Sequence, residues 1–392
     1  KGETEPEYSA GDTVKITKAT QFYAVRRKSN YYTVSYYLGN GSTNAAYQKL
    51  TQTVEEGTVV TFAKVPARTG YVNQGWSSKK NSEKATAKAK CTVNKNITLY
   101  AVQKKAVQLT FHRCDGSTWQ KTTLAKGSSY SLPGVRDAEG YTFMGWSTKP
   151  MQSVSPQYEA EEKITVNGNV DLYAVVFNRT TETDLTEDQL PQVDIYKYKQ
   201  VIFVGDSRTE FMENVLTGMG ESATKNVKFV CSAGKGLDWF TTTGWAQLYS
   251  IVQHDSNSIL SKKTAVIFNF GVNDLSKSAD YAEYYNWIAP QLKSKGCELY
   301  FMSVNPVNRL MLPNAGRADR SEAAVRSFNQ YMKANLSSAY TYIDMYSYLK
   351  STGYSFASDH YGTGTVDDGL HYTTRTYKRI FAKCMDSLRV PA

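Results

Sequence analysis

Val201-Ile202-Phe203-Val204-Gly205-Asp206-Ser207 is a short apolar run that stops abruptly in Gly-Asp-Ser, and a polar, helix-compatible segment begins at Arg208. The run reads as a buried strand that delivers a serine at its C-terminal end, beside a helix N-terminus. In open α/β sheets that edge is where ligands bind. Backbone N–H groups of the turn and of the helix N-terminus favour a developing negative charge there. Taken alone, Gly-Asp-Ser is a common turn. Three further segments give it weight.

A second apolar run, within Lys263 to Asp274, stops in Gly271-Val272-Asn273-Asp274. An Asn side chain at a strand's C-terminal end can donate an N–H into the space where the serine sits. Between the two lies Val227 to Gly236, a strand pattern ending in the loop Ser232-Ala233-Gly234-Lys235-Gly236. Glycines there let backbone N–H groups approach a substrate oxygen closely. Near the C-terminus stands Asp367-Asp368-Gly369-Leu370-His371-Tyr372, followed by a helical pattern through Tyr377, Ile380, Phe381 and Cys384. Asp368 and His371 are three residues apart, so their side chains are expected to meet within one turn. A carboxylate so placed fixes the imidazole tautomer that a general base needs.

In that order the four segments resemble the blocks of the SGNH/GDSL hydrolase family, and the resemblance covers residues 197–390. It implies that Ser207 is the nucleophile, His371 the general base and Asp368 the carboxylate that orients it. It implies an oxyanion hole made by the Ser207 backbone N–H, the Asn273 amide and a glycine, Gly236 or alternatively Gly234. Cys231 stands where the family usually has Asn, a departure that bears on the loop and on the choice of glycine. Arg208 directly follows the serine, either pairing with an acidic sugar or salt-bridging on its helix. Asn305, Asn308 and Arg309 end the fourth expected strand and are the other candidate substrate-binding residues.

The remaining histidines offer no competing site. His112 reads as a strand residue, His254 as the end of a helix, where an imidazolium suits the dipole, and His360 as a loop residue with local hydrogen bonds. No two histidines have zinc-ligand spacing and no Cys-x-x-Cys occurs, so no metal and no cofactor is expected.

From residue 200 onward strand and helix patterns alternate. Strands are expected at 200–206, 227–232, 264–270, 297–304 and 340–344, and helices near 208–217, 239–254, 280–295, 320–336 and 374–388. Apolar runs without polar alternation point to parallel strands covered on both faces. The expected fold is a three-layer α/β/α, flavodoxin-like domain with its site at the strands' C-terminal edge.

The first half is organised by an internal repeat. Gly70-Tyr71-Val72-Asn73-Gln74-Gly75-Trp76-Ser77 recurs as Gly140-Tyr141-Thr142-Phe143-Met144-Gly145-Trp146-Ser147, and Leu99-Tyr100-Ala101-Val102 as Leu172-Tyr173-Ala174-Val175. A third Tyr-Ala-Val, at Tyr23-Ala24-Val25, has no Gly-Trp segment before it. Period-two alternation in Tyr32–Tyr37 and Val107–Phe111 reads as strands, and the Trp residues as core aromatics. These units resemble the Listeria–Bacteroides repeats of bacterial surface proteins, small β-grasp-like modules in tandem. The resemblance implies a secreted or wall-attached bacterial protein whose repeats act as a spacer or adhesive stalk. The organisation expected is a repeat tail at 1–30, repeats at 31–105 and 106–178, a polar, Thr-rich linker at 179–199 and the hydrolase domain at 200–392. Leu185, Leu190 and Ile195 are the linker residues suited to docking.

A chain of 392 residues fits two or three domains. No apolar run approaches the roughly 20 residues a membrane-spanning helix needs. The opening Lys1-Gly2-Glu3-Thr4 has neither initiator Met nor signal peptide, so a processed or truncated piece is expected. Five cysteines at no patterned spacing do not make a disulfide framework. Residues 1–180 hold 24 Lys/Arg against 14 Asp/Glu, whereas residues 181–392 hold 22 of each. The whole positive excess thus sits in the repeats. It suits anionic cell-wall polymers, acidic glycans or anionic membrane surfaces, or else merely keeps a β-rich module soluble. No recognised nucleic-acid motif accompanies it.

The reaction implied is acyl transfer to water, with an acylated carbohydrate preferred as substrate and O-acetyl as the group removed. A lipase-like or general esterase is the alternative. Two further readings stay open: an adhesin whose hydrolase-like half only binds acetylated glycans, and an acyltransferase using the same site.

Overall fold

Strand β1 (Tyr198–Gly205) alternates its side chains between two apolar layers. Ile202 and Val204 pack on one face with Val266 and Phe268. Val201 and Phe203 pack on the other with Ala265 and Ile267. A strand buried on both faces has no solvent side to keep polar, which is why it reads as an unbroken apolar run. The computed structural model describes residues 5–26, 28–38, 47, 49–195, 197–254, 262–312, 320–358 and 367–388.

β1 lies between β2 (Val227–Cys231) and β3 (Lys263–Asn269), and β4 (Cys297–Met302) and β5 (Tyr340–Ile343) follow beyond β3. All pairings are parallel, in the order β2-β1-β3-β4-β5. One face is covered by α2 (Trp245–His254), α3 (Ser278–Ser294) and α4 (Glu322–Asn335), through residues such as Leu248, Tyr285, Ile288 and Phe328. The other is covered by α1 (Ser207–Met219), α5 (Met345–Thr352) and α6 (Thr374–Ser387), through Met212, Leu349 and Phe381 among others. This is the expected three-layer, flavodoxin-like order. It makes the C-terminal ends of β1 and β3 the point where strand order reverses, the position that opens a crevice for ligands.

Two elements were not expected. Helix α5 has only 8 residues, too short for a clear period, and starts on an Asp344 cap whose Oδ1 accepts from the Ser347 N–H at 3.1 Å. The block carrying Asp368 and His371 is strand β7 (Asp367–Tyr372), antiparallel to β6 (Phe356–Ser358), rather than a helical turn.

Residues 109–122 and 129–392 form one compact unit, and residues 1–108 with 123–128 another. In the latter, Tyr31–Tyr37 runs parallel to residues 97–100 and antiparallel to Gln52–Glu55, and Tyr71–Ser77 is antiparallel to residues 100–105. Val34, Tyr36, Trp76 and Leu99 form its core. The second repeat, within the larger unit, reproduces this pairing: residues 109–112 lie parallel to residues 170–173, and Tyr141–Ser147 is antiparallel to residues 173–178. The recurring Gly-Trp-Ser has one physical reading in both copies. Each glycine sits at a register shift with positive φ (120° at Gly75, 142° at Gly145), and a Cβ on Gly145 would lie 2.4 Å from the Tyr158 carbonyl oxygen. Each tryptophan is buried and donates its indole N–H to a carbonyl 13 residues upstream, Trp76 to Ala63 and Trp146 to Pro133. Each serine hydroxyl accepts the N–H two residues on.

The 179–199 segment lies against the hydrolase fold. Leu190 and Val193 are buried in the α1/α6 layer and Leu185 packs on its edge, whereas Ile195 is exposed. Buried Glu182 accepts hydrogen bonds from Ser355, Thr376 and Arg379.

Gly205 ends β1 where nothing larger fits. A Cβ there would lie 1.9 Å from Thr209 Oγ1 and 3.0 Å from the Asn269 carbonyl oxygen. Gly205→Ala is expected to cost about 1–3 kcal/mol of stability, as overpacked sites do. Urea unfolding checks this as a lower midpoint at an unchanged slope.

Candidate active site

Ser207 opens α1 directly after β1, and Asp206 caps the helix by accepting the Arg208 N–H at 3.0 Å. Neighbouring strand ends bring the other loops alongside: Gly205 is in register with Cys231 of β2 and with Asn269 of β3. The Ser207 hydroxyl lies 2.8 Å from His371 Nε2, and His371 Nδ1 lies 2.6 Å from Asp368 Oδ2. All three residues are buried. Asp368 Oδ1 also accepts the N–H groups of Leu370 and His371 at 2.8 and 2.7 Å. Burial pushes the Asp368 carboxyl up, but His371 and the two N–H donors outweigh it and hold it below the usual carboxylate range. An ionised Asp368 accepts only, so Nδ1 carries the proton and Nε2 presents its lone pair to the serine O–H.

Gly369 makes the Asp368–His371 contact possible inside a strand. Its φ is +67°, and a Cβ there would sit 2.3 Å from the Asn308 carbonyl oxygen. That kink, rather than a helical turn, brings residues three apart together.

Asn273 follows β3 past Gly271. Its Nδ2 donates to the Lys235 carbonyl at 2.8 Å, and its Oδ1 accepts from Arg320 Nη2 at 2.6 Å. A guanidinium only donates and a carbonyl only accepts, so these partners set which way the amide points. Of the two candidate glycines, Gly236 is the one packed against this segment. A Cβ on it would meet Asp274 Oδ2 at 2.3 Å, and the same oxygen accepts the Leu237 N–H at 2.9 Å. Gly234 is exposed, with nothing within 4 Å of a Cβ. Among the described residues neither the Ser207 nor the Gly236 N–H is bonded to protein. Cys231 donates to Glu213 at 3.3 Å, and burial together with that carboxylate pushes its thiol pKa up, leaving it inert.

Of the four residues read as substrate contacts, Arg208, Asn308 and Arg309 bind protein groups instead. Arg208 is buried, and its guanidinium donates to the carbonyls of Leu370, Asn305 and Pro306, each at 3.0 Å. Asn305 is itself buried. Asn308 donates to the Val135 carbonyl and to Asp137, and Arg309 pairs with Glu161 at 2.9 Å. The polar groups of Arg208, Asn308 and Arg309 satisfy buried backbone and the second repeat, which strand-end position alone does not reveal, whereas Asn305 Oδ1 is buried with no hydrogen-bond partner among the described residues. His112 ends a strand and binds Asp171 at 2.9 Å while stacking on Tyr173. The His254 side chain and His360 lie outside the described residues. Arg320 was not singled out by sequence reading, since 47 residues separate it from Asn273.

A serine, an imidazole and a carboxylate bonded in series at the switch point of a parallel sheet define a domain of the acylhydrolase class. Residues 201–384 match the model of the GDSL-like lipase/acylhydrolase family. Residues 32–102 and 108–175 each match that of the Listeria-Bacteroides repeat domain. The chain thus carries two Listeria-Bacteroides repeats followed by a GDSL-like acylhydrolase domain. A protein of Evansella cellulosilytica named as a Gly-rich membrane protein is 27% identical over 169 residues, 43% of this chain and 18% of that relative, so the match spans less than a fifth of the relative's length. Among solved structures, a Bacteroides fragilis protein assigned as an acylhydrolase is 16% identical, covering 51% of this chain and 92% of that one at a TM-score of 0.35. The catalytic domain of a Streptococcus pneumoniae peptidoglycan O-acetyltransferase is 15% identical (49% and 92% covered, TM-score 0.30). An acetylxylan esterase of Geobacillus stearothermophilus is 10% identical (50% and 96% covered, TM-score 0.31).

Asp206 carries a charge that burial disfavours, and its pKa is raised to about 6. With the folded value above the unfolded one, its contribution to stability is full below the unfolded pKa and is lost as pH rises through about 6. Asp206→Asn keeps an acceptor for the Arg208 N–H and removes the charge. It is expected to be more stable than the parent at pH 7 by on the order of 2–3 kcal/mol. Thermal unfolding at pH 7 and at pH 4 checks this, since the gain must vanish by pH 4.

Proposed function

We propose that the chain is a serine ester hydrolase that removes O-acetyl groups from carbohydrate, on cell-wall or host glycans. The observation that carries the reading is the buried series Ser207 Oγ, His371 Nε2, His371 Nδ1 and Asp368 Oδ2, with contacts of 2.8 and 2.6 Å. Ser207 Oγ attacks the ester carbonyl while Nε2 takes its proton, and Asp368 stabilises the imidazolium that forms. The oxyanion is met by the Ser207 and Gly236 N–H groups and by the Asn273 N–H not spent on Lys235. As the intermediate collapses, the imidazolium gives its proton to the departing sugar oxygen, which leaves as the hydroxyl; water deprotonated by His371 then attacks the acyl-serine, and acetate leaves as the proton returns to Ser207 Oγ. The rim loop Ser232-Ala233-Gly234-Lys235-Gly236 offers no large apolar side chain. That favours a small acyl group on a polar alcohol over a long acyl chain.

No helix among the described residues is long and apolar enough to cross a membrane. The tandem repeats favour a secreted or surface-attached protein, and their net positive charge favours an anionic wall polymer or glycan as the partner they hold.

Acetate release from p-nitrophenyl acetate and from a panel of acetylated glycans tests the reading. Ser207→Ala is expected to abolish release, and Asp368→Asn to lower kcat by about 10⁴-fold through the wrong tautomer. Acetyl groups appearing on an acceptor sugar instead of in solution would replace hydrolysis by transfer.

Arg320 acts through Asn273 in this scheme, so its effect must depend on that residue. Asn273→Ala is expected to lower kcat by about 100- to 1000-fold. Arg320→Ala is expected to lower kcat at a near-constant KM in the parent, and to add little once Asn273 is gone. A double-mutant cycle with full additivity would remove Arg320 from the oxyanion hole.

A further inference from the structure

The second repeat is joined to the hydrolase fold by more than a chain connection. Its Met144, Val175 and Phe177 belong to the same apolar cluster as Phe203 and Ile267 of the central strands. A Cβ on Gly353, at the end of α5, would lie 2.3 Å from the Phe177 ring. Buried Lys350 of α5 reaches Glu322 at 2.8 Å, Glu159 at 2.9 Å and the Met144 carbonyl at 2.8 Å. Burial alone would lower the lysine's pKa; the facing carboxylates of Glu322 and Glu159 more than offset it and raise it. Arg309 pairs with Glu161, and Arg136 donates to the Leu310 carbonyl.

The polar contacts from Asn308, Arg309 and Leu310 fall on the loop after β4, and Asn308 is their centre. Its Nδ2 donates to the Val135 carbonyl at 3.0 Å and to Asp137 Oδ1 at 2.9 Å, both in the repeat. Its Oδ1 accepts the Leu310 N–H at 3.2 Å. Its backbone N–H donates to the Gly369 carbonyl at 2.8 Å, one residue from Asp368. Two and three residues upstream, Pro306 and Asn305 supply carbonyls to Arg208, the neighbour of Ser207. The partner carboxylate, Asp137, is itself held by Arg179 at 2.7 Å.

We propose that the second repeat is a positioning part of the catalytic unit: through Asn308 it sets the loop that holds Arg208 and Gly369, and thereby Ser207 and Asp368, in place. The repeat nearest the hydrolase is then neither spacer nor stalk. Asn308 is a positioning residue, since it acts on the reacting groups only through the backbone it fixes. In its kinetic form the proposal rests on the esterase reading above.

The test uses the full chain carrying Asn308→Asp, which keeps the side chain's size and its cap on Leu310 but turns a double donor into a carboxylate facing Asp137. Asn308→Ala, which removes the junction without adding a charge, serves if the first variant does not fold. Two quantities are read: kcat and KM on p-nitrophenyl acetate, and hydrogen–deuterium exchange across residues 367–372. Expected are a kcat about 10- to 100-fold lower at a KM within about twofold, and faster exchange of the Leu370 and His371 amides, in protein that still unfolds cooperatively. Parent-like kcat and exchange at 367–372, beside faster exchange in residues 133–145, would overturn the proposal, leaving a dock without bearing on the site. The exchange readout needs no turnover. A parent chain inert on every ester would therefore remove the esterase reading and leave this one to be decided by exchange alone.

Discussion

A buried guanidinium ties the site together. Arg208 has no room to reach solvent, and a buried cation is tolerated only when its donors are satisfied. It spends them on three carbonyls, from Leu370 on the C-terminal hairpin and from Asn305 and Pro306 after β4. The Tyr372 hydroxyl donates to the same Pro306 carbonyl, and the guanidinium lies over the Tyr372 ring. Because Arg208 sits one residue after Ser207 in the first turn of α1, the serine's position is locked to two distant segments at once. Moving either loop would strand a charge, so the geometry between the serine hydroxyl and the imidazole is held by electrostatics as well as by packing.

Steric limits at the strand ends do the rest. Gly205 leaves room for Thr209, Gly271 lies against Phe328 at a φ of 130°, and Gly369 kinks the hairpin under the Asn308 carbonyl. Each is a place where backbone approaches something that a side chain would displace. Together they let loops after β1, β2 and β3 and the hairpin gather within bonding distance. Asp274 closes the group by binding the Leu237 N–H and packing on Gly236, while Tyr281 of α3 donates to its other oxygen.

Parallel strands and their flanking helices were legible because burial on two faces leaves an apolar run of the length of the strand, as in Val201–Val204. The tandem Gly-Trp-Ser blocks were legible because the same bulge, core indole and serine acceptor recur. Helix α5 and the β6–β7 hairpin were not, the first for want of length, the second because Asp367–Tyr372 has no alternation that separates a strand from a turn. Arg208 after β1 and Asn308 and Arg309 after β4 were read as substrate contacts, and each holds protein instead.

The sequence by itself determined the layered α/β half, the β-rich tandem half and the uneven charge between them, since these depend on local period and on residue type, and it singled out Ser207, Asp368 and His371, which the fold brings together. Tertiary structure alone decided what the polar side chains bind. Asn308 meets partners 171 and 173 residues upstream, and Asn273 is oriented by an arginine 47 residues downstream. A hydrogen bond depends on which donor and acceptor the fold brings within about 3 Å, and no period along the chain encodes that. The second repeat looks like a spacer in the sequence, and in the fold its core and polar side chains pack on the hydrolase strands and loops.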